Sequence, residues 1–88
     1  MSYNYQKQVL RQRYGNFCMM CERVLKKNNQ SFHHRIPKSA GGKGSIENGA
    51  ILCMQCQRII HTFEFGSEAY EQLDDLIEKN MEKHKRGK

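Results

Sequence analysis

All four cysteines of this chain fall in two copies of one short pattern, Cys18-x-x-Cys21 and Cys53-x-x-Cys56, with residues 22–52 between them. A two-residue gap lets both thiolates of a knuckle face one ion at about 2.3 Å, and two such pairs complete a tetrahedron with no open position. That is the pattern of a structural zinc site. Four incidental thiols are the alternative, and the matched repetition weighs against it. A finger of two cysteines and two histidines does not fit. His33 and His34 are adjacent rather than about three to five residues apart, and Cys53 and Cys56 would have no role. The N-terminal stretch MSYNYQKQVLRQRYG has no apolar segment of the kind that directs secretion. The cysteines are therefore expected to be reduced, in the cytoplasm, and committed to metal rather than disulfides.

Size makes the metal energetically important. The chain has 88 residues, 38% of them apolar, so one small domain with a modest core is expected across residues 1–88. Structural zinc contributes on the order of 10–16 kcal/mol of apparent binding energy, against a typical domain stability of about 5–15 kcal/mol. One ion can decide whether such a chain folds. No apolar run approaches the ~18 residues of a membrane span, so no membrane partner is expected.

Charge is uneven. The net charge is +6, but residues 1–40 hold eight Lys or Arg and one acid, Glu22. Residues 64–88 hold five bases and seven acids. Basic clustering around the cysteines and histidines suits a polyanion such as a nucleic-acid backbone. A solubilising surface is the plainer reading of the same charges.

Periodicity predicts a helix over 3–14, with Tyr5, Val9, Leu10 and Tyr14 at helical spacing and Gly15 as the stop. A knuckle and a polar loop follow over 16–30. A strand is expected over 31–36, ended by Pro37, which cannot donate to a ladder. A glycine-rich loop over 38–49 leads to a second strand at 50–52 and a helix over about 54–63. From Ser67, a candidate N-cap, a helix is expected over 67–86, with Tyr70, Leu73, Leu76, Ile77 and Met81 as its apolar stripe. His84 reads as solvent-exposed and without a role.

The segment between the cysteine pairs carries His33-His34-Arg35-Ile36-Pro37, then Gly41-Gly42, then Ser45-Ile46-Glu47-Asn48. The second pair sits in Leu52-Cys53-Met54-Gln55-Cys56-Gln57, followed by His61. Over residues 10–62 this order and spacing resemble the HNH (ββα-metal, His-Me finger) endonucleases in their zinc-stapled form. The resemblance implies a small α+β fold. Its core, about 10–63, would be a treble-clef-like, zinc-bound ββα-metal unit with flanking N- and C-terminal helices. It implies a metal-dependent DNA endonuclease or nickase of weak sequence specificity, cutting to 5′-phosphate and 3′-hydroxyl ends. His33 would bind the catalytic ion, Mg²⁺ or Mn²⁺, and His34 would be the general base. Asn48 would brace the base or its loop. Gln57 stands where the family carries a metal-binding Asn or His. His61, one helical turn on, is expected to supply that ligand, alone or with Gln57.

Arg35, Lys38 and Lys43 flank these residues and are expected to touch phosphates of duplex DNA. Sequence preference would then come from a protein partner. One geometric condition applies. Neighbouring side chains on a strand point to opposite faces, so His33 and His34 can share a site only if the strand bends or ends there. Two other readings stay open. One is a weakly active or inactive zinc-stabilised module that binds nucleic acid or protein. The other is a small regulator that docks through its acidic helix.

Overall fold

The computed structural model describes residues 3–26 and 28–86. Lys27 of the polar loop, and residues 1–2 and 87–88 of the expected domain, lie outside the described residues. The elements are α1 (Asn4–Tyr14), β1 (Ser31–His34), a 3₁₀ turn at Lys38–Ala40, β2 (Gly49–Leu52), α2 (Met54–Ile60) and α3 (Glu68–His84). This is a small α+β fold with a ββα core. β1 and β2 pair antiparallel, with Ser31 opposite Leu52 and His34 opposite Gly49. Cys53 alone separates β2 from α2.

A lone two-stranded sheet is marginal in water at best. Here it is covered. All four residues of β2 are buried, with α1 packed on β2 and α2 packed on both strands. Leu10 of α1, Leu52 of β2, Ile60 of α2 and Ile77 of α3 are each no more than 2% exposed and form the centre of the core. Gly49 is required by close approach, since a Cβ there would stand 2.4 Å from the Phe32 ring.

α3 follows its sequence signals closely. The Ser67 side chain accepts the Tyr70 N–H, and Glu68 and Glu71 occupy the first turn. Tyr70, Ile77 and Met81 are buried. Leu76, expected on the same stripe, is exposed. Asn80 is the polar member of the buried face. Its Nδ2 donates to the Met19 carbonyl at 2.8 Å, so α3 is tied to the first cysteine knuckle.

Several boundaries and residues differ from expectation. β1 ends at His34, two residues early, because the ladder is not completed beyond it. Arg35 N–H still donates to the carbonyl of Asn48, its in-register partner, but Asn48 N–H turns to the Ser45 carbonyl and Ile36 N–H to Asn48 Oδ1. α2 ends at Ile60 rather than Phe63, where Thr62 turns its hydroxyl back onto the Ile59 carbonyl at 2.6 Å. Tyr5 is 68% exposed, and Tyr3 takes the inward place instead, stacked on Phe32 at 4.5 Å.

His84 is not a free surface residue. It stacks on Phe17 at 4.6 Å, and its Nε2 lies 2.7 Å from Glu22 Oε2. Glu22 has φ 65°, the left-handed turn that closes the knuckle. That turn sends its carboxylate to the end of α3, where Lys83 Nζ joins it at 3.0 Å. The His84 hydrogen bond, then Lys83, hold the Glu22 carboxyl below its ordinary range.

The Asn80 tie predicts that Asn80→Ala leaves the Met19 carbonyl buried without a donor. The expected cost is about 1–3 kcal/mol, read as a lower urea midpoint with native circular dichroism at zero urea. An unchanged midpoint would show that the tie carries no stability.

Candidate active site

The cysteines come together as two backbone-shaped cups. An isolated bridge between Phe17 and Val24 folds the first pair into a hairpin. Within it, Met20 N–H and Cys21 N–H both donate to Cys18 Sγ at 3.4 Å. In the second pair Cys53 is the N-cap of α2, its Sγ accepting the Cys56 N–H at 3.3 Å. All four sulfurs lie within 4.8 Å of one another, and Cys21 and Cys53 are 4.0 Å apart. A sulfur tetrahedron around an ion at about 2.3 Å has edges of roughly 3.8 Å. The cluster therefore fits a metal ion such as zinc after a small contraction. Burial, then neighbouring sulfurs, push the Cys56 thiol up. Without an ion that proton stays, so metal binding must expel it.

The histidines stand at the end of β1. Pleating separates them: His34 shares a face with Phe32, and His33 faces the helices. His33 is 1% exposed. Its ring lies 6.0 Å from His61 and 6.4 Å from Tyr70, centroid to centroid. Gln57 stands close enough to favour the protonated ring, yet no hydrogen bond closes between them. Burial, then the neighbouring His61, push His33 down to about 4, against smaller opposing effects of Asp74 and Gln57. His33 is thus neutral at pH 7, with the lone pair of one ring nitrogen available. His61, one turn beyond Gln57 along α2, is exposed at the mouth of this group.

Four buried side-chain polar atoms among the described residues have no hydrogen-bond partner. They are Nδ1 and Nε2 of His33, Nε2 of His34, and Oε1 of Gln57. Leaving such an atom unmet costs about 1–3 kcal/mol, and native folds leave few. Here all four belong to three residues around one strand end. They are donors of the kind that hold a divalent ion or meet a phosphate, so the residues present fit a catalytic metal.

His34 is held by aromatic edges. Tyr3 lies 5.2 Å away at 83° and Phe32 5.1 Å away at 89°. Gly44 makes this possible, since a Cβ there would stand 2.6 Å from the Tyr3 ring and 3.5 Å from His34 Nε2. Burial, then the charge of Lys38, lower the His34 pKa. Asn48 spends its amide on backbone. It accepts from Ile36 N–H and donates to the carbonyls of Ile36 at 3.0 Å and Lys43 at 2.8 Å. It fixes the exit of β1 against the glycine-rich loop.

Of the three basic residues expected at phosphate, Lys38 and Lys43 are exposed. Arg35 is not free. Its guanidinium grips Asp74 at 2.9 and 3.0 Å and Glu78 at 3.0 Å. Those acids, four residues apart on α3, push its pKa further up. Tyr70 adds a hydrogen bond from its hydroxyl to the Arg35 carbonyl at 2.8 Å. Arg35 thus fastens α3 to the strand end. Tyr3 and Tyr70, the ring neighbours of His34 and His33, carry no motif that marks them in the sequence; Tyr70 reads there as part of an apolar stripe and Tyr3 only as the start of a helix.

A ββα unit stapled by four cysteines, with histidines at the end of its first strand, defines the class of ββα-metal nucleases. The family model for HNH endonuclease matches residues 18–63, and the chain belongs to that family. No curated protein matches it. The matched span holds both cysteine pairs, His33, His34, Asn48, Gln57 and His61, and leaves α1 and α3 outside.

Two outcomes follow. Removing the metal from the sulfur cluster, or Cys18→Ser, should abolish cooperative unfolding and most helical circular dichroism, since the ion outweighs a typical domain's stability. Second, the folded pKa of His33, about 4, lies below the ordinary 6.5. Its contribution is complete above pH 6.5 and is lost as pH falls toward 4. Without added divalent ion, the parent should therefore lose about 3 kcal/mol more than His33→Gln between pH 7 and 4. Parallel acid dependence of the two urea midpoints would refute this.

Proposed function

We propose that the protein is a metal-dependent DNA endonuclease or nickase of weak sequence specificity. The observation that carries this is that, among the described residues, the four unpartnered buried polar side-chain atoms converge on His33, His34 and Gln57. His33, His61 and the carbonyl oxygen of Gln57 would hold a divalent ion such as Mg²⁺ or Mn²⁺. When bound, that ion supplies charge relief to the phosphate and to the departing 3′-oxygen.

The chain's own groups do the rest. His34, neutral at working pH, accepts at Nε2 the proton of the attacking water. The new P–O bond forms as the P–O3′ bond breaks, and the departing 3′-oxygen takes a proton from solvent water, leaving 5′-phosphate and 3′-hydroxyl ends. With the strand ending at His34, a phosphodiester lying across that end would face the His34 ring, while the buried His33 behind it would serve as ion ligand. Tyr3 and Phe32 restrict the His34 ring, and Asn48 holds the backbone that follows it. Zinc at the four cysteines serves the fold and takes no part in the chemistry. Lys38 and Lys43 are the cations of this loop left for phosphate contact. Residues 1–88 act as one domain in the cytoplasm, with duplex DNA as substrate and a protein partner as the source of any site preference.

Gln57 favours a second reading, a module that binds nucleic acid without cutting it, because a neutral carbonyl is a weaker ligand than imidazole. Supercoiled plasmid with Mg²⁺ or Mn²⁺ separates the two. Nicking is expected, with a loss of about 10²–10⁴-fold in His34→Ala. If parent and His34→Ala nick equally, the nuclease reading fails, and a retained gel shift then supports the binding module.

A further inference from the structure

α1 lies outside the span shared with the family, yet it adjoins the strand end. Its start touches the site: Tyr3 lies against His34, and Gln6 Nε2 donates to the Gly44 carbonyl at 2.9 Å. From there the helix, packed on β2, runs back toward the start of β1. Lys7 Nζ donates to the Gln30 carbonyl at 3.2 Å, and Arg11 donates to Gln30 Oε1 at 2.8 Å. Gln30 is the residue before β1. Tyr3, Lys7 and Arg11 are spaced four apart, so they share one helix face. At 1.5 Å per residue, Lys7 and Arg11 sit about 6 and 12 Å along the axis from Tyr3.

The electrostatics of this face are distinctive. No residue of α1 is acidic. Among the described residues neither Lys7 nor Arg11 meets a carboxylate. Their partners are neutral oxygens, which hold the side chains in place without cancelling their charge. Arg35 shows the contrast, cancelled by two carboxylates of α3. One DNA strand presents a phosphate about every 3.4 Å of axis, so the stretch from Tyr3 to Arg11 spans about three to four phosphates.

We propose that α1 is a track for the DNA backbone, with Lys7 and Arg11 binding phosphates of the strand whose cleaved bond lies at His34. The placement of the cleaved bond rests on the nuclease reading; the phosphate contacts do not. The track offers cations and no base-reading set, so it positions DNA without selecting sequence.

Binding of a fluorescent duplex is measured by anisotropy over 50–200 mM NaCl, in metal-replete His34→Ala protein so that cleavage does not intervene. Adding Lys7→Ala and Arg11→Ala together is expected to weaken binding alike on unrelated sequences. It should lower the slope of log affinity against log salt by about two, roughly one per phosphate contact. Arg11→Lys keeps the charge and should retain its share of the slope, which separates charge from any packing loss. Lys79→Ala removes a cation from α3 and should leave the slope unchanged. The track is overturned if the double variant keeps the parent slope, if Lys79→Ala costs as much as Lys7→Ala, or if the His34→Ala parent does not bind duplex. Nicking with an unaltered slope sinks the track alone. An altered slope without nicking sinks the nuclease reading and leaves the track standing.

Discussion

Four sulfurs within 4.8 Å of one another join the two halves of this fold. One pair belongs to the hairpin that follows α1, and the other to the junction of β2 and α2. Everything at the strand end inherits its position from that junction. Gln57 and His61 lie on the helix that Cys53 caps, and β2 holds β1 in register beside it. A two-stranded sheet cannot hold such precision alone. The staple also recruits α3, through the Asn80 bond to Met19 and the Glu22 contacts with Lys83 and His84.

Stability and chemistry pull in opposite directions at the end of β1. Burying His33 without a partner for either nitrogen costs folding energy, and it keeps the ring neutral. A buried leucine there would favour the fold and hold no ion. The cost falls beside a framework that a metal at the four cysteines would staple, rather than in a lone hairpin. Asn48 shows how the site is kept in shape. It takes over the backbone partners of the terminated strand, so β1 can stop at His34 without leaving Arg35 and Ile36 donors unmet.

Features written in local pattern were legible in the sequence. The cysteine pairs, the cap and stripe of α3, and the order of strands and helices all depend on spacings of a few residues. What was not legible depends on partners far along the chain. Arg35 reads as a phosphate contact until Asp74, 39 residues away, is placed against it. His84 reads as solvent-facing until the left-handed turn at Glu22 aims a carboxylate 62 residues back at it. Tyr3 and Tyr5 are equally aromatic, and only the seat beside Phe32 and Gly44 decides which one turns inward. The grouping of His33, Gln57 and His61 came from family order rather than from periodicity.

Net charge is a poor guide to where this protein attracts a polyanion. Four thiolates and one zinc ion together carry −2, which would bring the formal +6 to about +4. More decisive is which cations are already paired. α3 supplies the carboxylates that quench Arg35, and Glu22 pairs with Lys83 and lies against His84. These pairings act over a few ångströms and are little screened by salt where partly buried. α1 has no acid of its own and rests on neutral oxygens of Gln30. The two flanking helices thus give the strand end opposite sides. Along α3 the charge is net acidic, six carboxylates against two lysines, and Asp74 and Glu78 spend theirs on adhesion to Arg35. Along α1 it stays uncompensated, on Lys7 and Arg11 at Gln30 before the start of β1, with Tyr3 of the same face against His34, the line of the proposed phosphate track.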